Sequence, residues 1–310
     1  MSKSTLEMTR EEWLDARRTG IGGSDVAAIL GLSPWKSPVM VYMDKIGESP
    51  DQEENEAMYW GNVLEDVVAK EFEKRTGMKV KRKNAIIRHA DYPWMLANVD
   101  RLIIGQKAGL ECKTANEYAK DAWDGDKAPD VYILQCMHYM AVTGFKEWWI
   151  AVLIGGNKFH FKKIERDEEL ITFLIEKESE FWKLVENRTP PELDGSEASA
   201  NLLKVMYPVS EPESAIDLPP DGAEWLDRYI RAKEAIEAAE AEKELAENQL
   251  KAMMQETETA WSGTRKITWK TQYRKSIDSK RLQAEKPDIY TAYLKESPSR
   301  PFKIGEVKTK

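Results

Sequence analysis

The sequence predicts an α/β protein of the α+β kind, with a mixed central sheet flanked by helices and a helical, basic C-terminal extension. Three observations predict it. Hydrophobic periodicity is helical up to Gly77, changes to short extended segments up to Thr114, and then runs helix, hairpin, helix to Arg188. The 310 residues are 42% hydrophobic and 32% charged, enough apolar material for a large core. The charge is uneven. The whole chain carries −8, yet the last fifty residues hold nine Lys, four Arg and five acids, a net of +8.

The elements follow in order. Thr9 and Glu12 have capping-box spacing ahead of "EEWLDARR". Ser24 can cap "DVAAIL", which Gly31 ends. Ser37-Pro38 opens "VMVYMDKIG" as a cap followed by proline at the first helical position. "AMYWGNVLEDVVAKEFEKRTG" is a longer helix ending near Gly77. "MKVKRKNAIIRH", "WMLANVDRLII" and "AGLECKT" are short segments separated by turn signals and predict three strands. "PDVYILQCMHYMAVTG" returns to helical spacing, "EWWIAVLI", "GGN" and "KFHFKKI" form a hairpin, and "RDEELITFLIEKESEFWKLVENR" is an amphipathic helix. This organisation sets a catalytic-type domain over 1–188. A Pro-, Ser- and acid-rich linker with room for one short helix covers 189–222. A long helix over 223–257 and a basic segment over 258–310 complete the chain. In the long helix, Trp225, Tyr229, Ala232, Ile236, Ala239, Lys243, Ala246, Leu250 and Met253 follow 4-3 spacing. Three readings stay open for it: an arm of a helical hairpin, a weak coiled coil, or a helix packed on its own domain. The tail begins with a hairpin turning at Ser262-Gly263, its second strand running to Arg274.

Composition excludes several chemistries. No apolar run approaches the ~18 residues of a membrane span, and "MSKSTLEMTREEW" does not read as a signal peptide. Cys112 and Cys136 both sit in apolar surroundings, as buried thiols of a reducing compartment do. His89, His138 and His160 lack metal-ligand spacing.

The chemistry points instead to carboxylates. Glu111 and Lys113 alternate onto one face of a strand. If "LANVDRLI" pairs with "GLECK" through the "GQKA" turn, Asp100 reaches that face too. Two carboxylates so close repel unless a cation lies between them. Hard oxygen ligands without His or Cys suit Mg²⁺ or Mn²⁺. The ammonium beside them can orient or deprotonate a water, or steady charge on a phosphate. A surface strand with an i,i+2 ion pair produces the same pattern. On the helix ahead, Glu65 shares the apolar stripe of Val68, Ala69 and Phe72, where a carboxylate needs a partner. On the helix behind, Gln135 and Tyr139 share one face at i,i+4, within reach of the lysine or a phosphate.

Together, Glu65, Asp100, Glu111-Cys112-Lys113 and Gln135 to Tyr139 resemble the PD-(D/E)xK nuclease superfamily. They are similar to its YqaJ-type viral recombinase and lambda exonuclease-like branch. "RRTGIGGSDVAAILGLSPWKSP" resembles the YqaJ signature almost word for word, and "WGNVLEDVVAKEF" resembles that family's W-G-x-x-x-E segment. Val99 stands where the superfamily's name has proline. The resemblance implies a restriction-endonuclease-like core and a metal-dependent 5′→3′ exonuclease. It would act on double-stranded DNA ends and expose 3′ single strands for annealing. It implies two Mg²⁺ ions, with Mn²⁺ as a substitute, held by Asp100, Glu111 and the Cys112 carbonyl, with Glu65 on the second. Lys113 would activate water, helped by Gln135. Arg17 or Arg18, together with Ser24, would hold the terminal 5′-phosphate, and Ser24 at a helix start suits an anion. It further implies a ring of subunits, a single-strand annealing protein as partner, no membrane, and a phage- or prophage-encoded protein in the bacterial cytoplasm. A PD-(D/E)xK endonuclease shares the same site. A non-catalytic DNA-binding or adaptor protein working through the long helix is the alternative of another class.

Overall fold

A computed structural model describes residues 4–50, 55–125, 127–295 and 299–305, in two compact units divided after Tyr207. The end of the basic segment, 306–310, lies outside them. In the first unit, α1 (Arg10–Arg18) starts on the Thr9–Glu12 capping box. There follow β1 (Ile21–Gly22), α2 (Gly23–Ile29), α3 (Pro38–Ile46) and α4 (Glu56–Thr76). The strands β2 (Val80–Arg82), β3 (Ile87–Arg88), β4 (Met95–Ala97), β5 (Arg101–Ile103) and β6 (Ala108–Ala115) come next. Then α5 (Asp130–Thr143), the hairpin β7 (Glu147–Ile154) and β8 (Lys158–Glu165), α6 (Glu168–Glu186) and α7 (Glu197–Met206) complete it.

The main sheet has the order β2-β5-β6-β7-β8 and is mixed, with β6 and β7 parallel and the other pairs antiparallel. Its two faces bury separate cores. Leu110 and Ala151 pack with Val68, Ala69 and Phe72 of α4. Trp148, Ile150, Val152 and Ile154 pack with α5 and α6 on the other side. This alternation of side chains on β6 and β7 sets the site. Gly109 lies opposite Trp148, and a Cβ there would stand 2.1 Å from its ring. Only glycine leaves room for that indole.

Two expectations are corrected. Neither "MKVKRKNAIIRH" nor "WMLANVDRLII" is one strand: β3 and β4 join a small sheet β1-β4-β3, while β2 and β5 belong to the main sheet. Ser24 does not cap α2. Gly22 takes that place, and the Asp25 carboxylate accepts from its amide at 3.1 Å.

α5 carries a buried histidine. His138 Nε2 faces the Leu96 carbonyl at 2.9 Å, and Nδ1 faces Glu178 Oε1 of α6 at 2.9 Å. The carbonyl requires Nε2–H, so one further proton must lie between Nδ1 and the carboxyl. Burial lowers the affinity of His138 for that proton, but the Glu178 charge outweighs it and the shift is upward. Burial also moves Glu178 upward. The His138 contribution is fully present below the ordinary histidine value of 6.5 and the Glu178 contribution below the ordinary carboxylate value of 4.5, and each is lost as pH rises through the higher folded value. Melting temperature is therefore expected to fall as pH rises above the ordinary histidine value of 6.5, and Glu178→Gln to flatten that slope. Equal slopes in the two proteins would refute the shared proton.

In the second unit, α8 (Asp221–Met254) has one buried residue, Met254. Trp225, Tyr229, Ile236 and Leu250 of its seam are all exposed. β9 (Thr259–Ser262) and β10 (Arg265–Thr268) form the hairpin. The second strand stops at Thr268 rather than Arg274, because the pairing ends at Thr259 with one further bond from the Trp269 amide to the Glu258 carbonyl at 2.9 Å. No helix among the described residues is long and apolar enough to cross a membrane.

Candidate active site

The β5–β6 register decides whether the acids meet. Arg101 pairs with Leu110, so Asp100 stands opposite Glu111, and its Oδ2 accepts from the Cys112 amide at 2.8 Å. Glu111, only 3% exposed, points to the α5 face with Lys113, whose Nζ donates to Glu111 Oε1 at 2.6 Å. Gln135 Nε2 approaches the same oxygen at 2.6 Å and the Tyr139 hydroxyl at 2.8 Å. Glu111, Lys113, Gln135 and Tyr139 are thus one hydrogen-bonded group on the central strand and α5, and Asp100 stands opposite Glu111, held by the Cys112 amide.

Tyr139 lies beneath that group. It is buried, its hydroxyl donates to the Asn98 carbonyl at 3.1 Å, and it accepts from Gln135 Nε2. Glu65 arrives from the α4 side, where Arg101 binds it and holds Asp66 at 2.5 Å. Arg101 is 3% exposed and also donates to the Asp100 carbonyl at 2.7 Å, so it ties the two faces together.

The electrostatics are those of two acids short of a cation. Burial, then the Glu111 charge, hold the Asp100 carboxyl well above the usual range, with Lys113 opposing. Burial works against the Lys113 ammonium, but Glu111 and Asp100 outweigh it and keep it charged. Among the described residues no three His, Cys, Asp or Glu side chains converge as a metal-holding group, because each carboxylate faces its own cation or amide. The donor set nevertheless fits a hard divalent ion. Glu111 Oε2 is buried with no hydrogen-bond partner among the described residues. The Cys112 amide faces Asp100, and in an extended strand the carbonyl of the same residue leaves on the same side. Glu111, Asp100 and that carbonyl therefore present oxygens to one edge, with Glu65 beyond Asp100.

The N-terminal residues adjoin this group. A Cβ on Gly23 would lie 2.6 Å from the Tyr139 ring, so α2 sits directly on α5. Arg17 Nη2 donates to the Ser24 hydroxyl at 3.2 Å, whereas Arg18 pairs with Asp15 at 2.9 Å. Asp25, buried between them and the core, meets Lys45 at 2.7 Å and Lys36 at 3.1 Å. Burial raises its pKa, but Lys36, Lys45 and Arg17 outweigh it and hold the carboxyl well below the usual range. Sequence reasoning missed Asp25, Lys36, Lys45 and Arg101. The available signal was Lys45 at i+4 from Val41 on an apolar stripe, and Arg101 inside an apolar strand.

Known proteins share this arrangement of chain. The YqaJ-like viral recombinase domain matches residues 12–146, which include every residue named in the group above. The protein YqaJ of Bacillus subtilis (strain 168) is 46% identical over 305 residues, 97% of this chain and 96% of its own. Among solved structures, the alkaline exonuclease LHK-Exo of Laribacter hongkongensis superposes with a TM-score of 0.50 at 24% identity, covering 58% of this chain and 94% of that one. Its complex with dAMP gives 0.51 over the same coverage. These structures share the mixed α/β fold. The identity to the Bacillus protein extends over nearly the whole of both chains, and on that ground the chain belongs to the YqaJ-like viral recombinase family.

Proposed function

We propose that this protein is a DNA exonuclease that hydrolyses one strand 5′→3′ from double-stranded ends and leaves 3′ single strands for annealing. The observation that carries the reading is the hydrogen-bonded group of Glu111, Lys113 and Gln135 with Asp100 opposite Glu111, and the Arg17–Ser24 pair that joins α1 to α2. Asp100, Glu111 and the Cys112 carbonyl would hold Mg²⁺, with Glu65 on a second ion and Mn²⁺ as a substitute. When bound, the ions supply charge for the phosphate and acidify a water. Lys113, already a cation, positions that water and faces the developing phosphate charge. Gln135 fixes the Glu111 carboxylate. Arg17, rather than Arg18, supplies the planar donors for a terminal 5′-phosphate, because Arg18 is engaged with Asp15. Ser24 offers its hydroxyl beside it. Family membership supports a ring of subunits round the duplex, a single-strand annealing partner and work in the bacterial cytoplasm.

The test compares a linear 5′-phosphorylated duplex with a covalently closed circle of the same sequence, in Mg²⁺. Linear DNA is expected to be degraded from its ends, at least tenfold more slowly when the 5′ end carries a hydroxyl. Circles cut as fast as linear DNA would point to the endonuclease, and binding without any cleavage to the adaptor.

A further inference from the structure

Between α2 and α3 the chain exposes Trp35 to 64%, an unusual position for so large an apolar ring. It is not loose. Its ring stacks on Tyr132 of α5, with centroids 6.3 Å apart and planes at 27°. Tyr132 also stacks on the buried Trp123, at 5.4 Å and 25°. The ammonium of Lys113 lies over the same Tyr132 ring, 5.1 Å from its centroid. A continuous aromatic set therefore runs from the proposed catalytic lysine to the surface, and Trp35 is its outer member.

The other side of Trp35 is anchored as well. Its neighbour Lys36 donates to Asp25 at 3.1 Å, and Asp25 follows Ser24 in the chain. Trp35 thus joins the two halves of the site: Tyr132 and Lys113 on one side, Lys36, Asp25 and the Arg17–Ser24 pair on the other. Packing on Tyr132 limits the rotamers of the indole, so little order remains to be imposed when a flat ligand arrives. A flat π surface beside phosphate-binding cations suits a nucleobase, whose stacking tolerates any sequence.

We propose that Trp35 is a stacking platform for the nucleobase of the 5′-terminal nucleotide, whose phosphate lies at Arg17 and Ser24. This rests on the reading of the site as a DNA-end site and adds a base contact that neither the metal group nor the phosphate grip supplies. It assigns Trp35 to ground-state binding, so its loss acts on affinity and KM and leaves kcat near its original value.

The test measures affinity by fluorescence anisotropy in the absence of divalent metal. The probes are a 5′-phosphorylated duplex and the same duplex whose 5′-terminal nucleotide is abasic. Trp35→Ala is expected to weaken binding of the intact end about tenfold, and Trp35→Phe less than about threefold. On the abasic end the original protein and Trp35→Ala should bind alike. An equal loss on intact and abasic ends, or no loss on the intact end, would overturn the platform. The original protein alone supplies a second check that does not depend on folding of a variant, since it must prefer the intact end to the abasic one. Hydrolysis of the intact end in Mg²⁺ separates the two readings. Binding with base preference but no cleavage removes the nuclease and keeps the platform, and cleavage without base preference does the reverse.

Discussion

Lys113→Ala is expected to lower hydrolysis of a 5′-phosphorylated duplex about a thousandfold, within the range for loss of a positioned acid–base group. Glu111→Ala should remove activity altogether. The reason is mutual dependence: Lys113 and Gln135 converge on Glu111 Oε1, while Oε2 is the buried oxygen left over for a cation. DNA affinity should stay within about threefold in both variants, because the proposed phosphate grip lies on α1 and α2 rather than on β6. Single-turnover rates and anisotropy measured on the same preparations check the pair of statements. Glu111→Gln serves where Glu111→Ala destabilises the sheet, since it keeps the shape and removes the charge. Cleavage at the original rate in Lys113→Ala and Glu111→Gln would end the site assignment.

Asp25→Ala is expected to cost about 3 kcal/mol of stability, because it removes the nearest partner of a fully buried lysine. The Lys45 ammonium has no exposed surface and meets Asp25 at 2.7 Å, with the Arg17 carbonyl at 3.2 Å and the Asp44 carboxylate at 3.7 Å as more distant acceptors. The double variant Asp25→Ala/Lys45→Met removes both charges and should recover most of the loss. Urea unfolding of the four proteins closes the cycle, and an additive double variant would show that the two residues do not depend on each other. The pH sign follows from the depressed Asp25 value. Its stabilisation is fully present above the ordinary carboxylate value of 3.8 and is lost as pH falls through the lower folded value. The upward shifts of His138 and Glu178 have the opposite sign, so the two effects occupy separate ends of the pH scale.

Much of the site was legible because it depends on local spacing. Glu111 and Lys113 share a face by strand alternation, and Gln135 and Tyr139 share one by helical period. Both hold in the folded chain. The helices with strong caps also appear near their expected places, since Thr9, Ser37 and Gly77 act on their own neighbours. Asp100 was less legible. Its place opposite Glu111 depends on a register set by β5 alone, after the chain has left the other sheet. Ser24 was misread as a cap because the helix starts one residue earlier, with Asp25 at its third position accepting from the Gly22 amide, and the Ser24 hydroxyl accepts from Arg17 instead. The tail strand was overextended because alternation alone does not say where a partner strand ends.

The sequence by itself determined the order of the main helices and of the hairpin after α5, the E-x-K pair and the acidic body with a basic end. These follow from periods and compositions that act within a few residues. Only the tertiary structure decided what each charge faces. Arg101 holds Glu65 across the sheet edge, Asp25 sits among Arg17, Lys36 and Lys45, and Trp35 reaches Tyr132 from a different part of the chain. Such pairings join residues tens of positions apart. A buried charge is stable only when its partner arrives from elsewhere in the fold, and no local pattern records which partner that is.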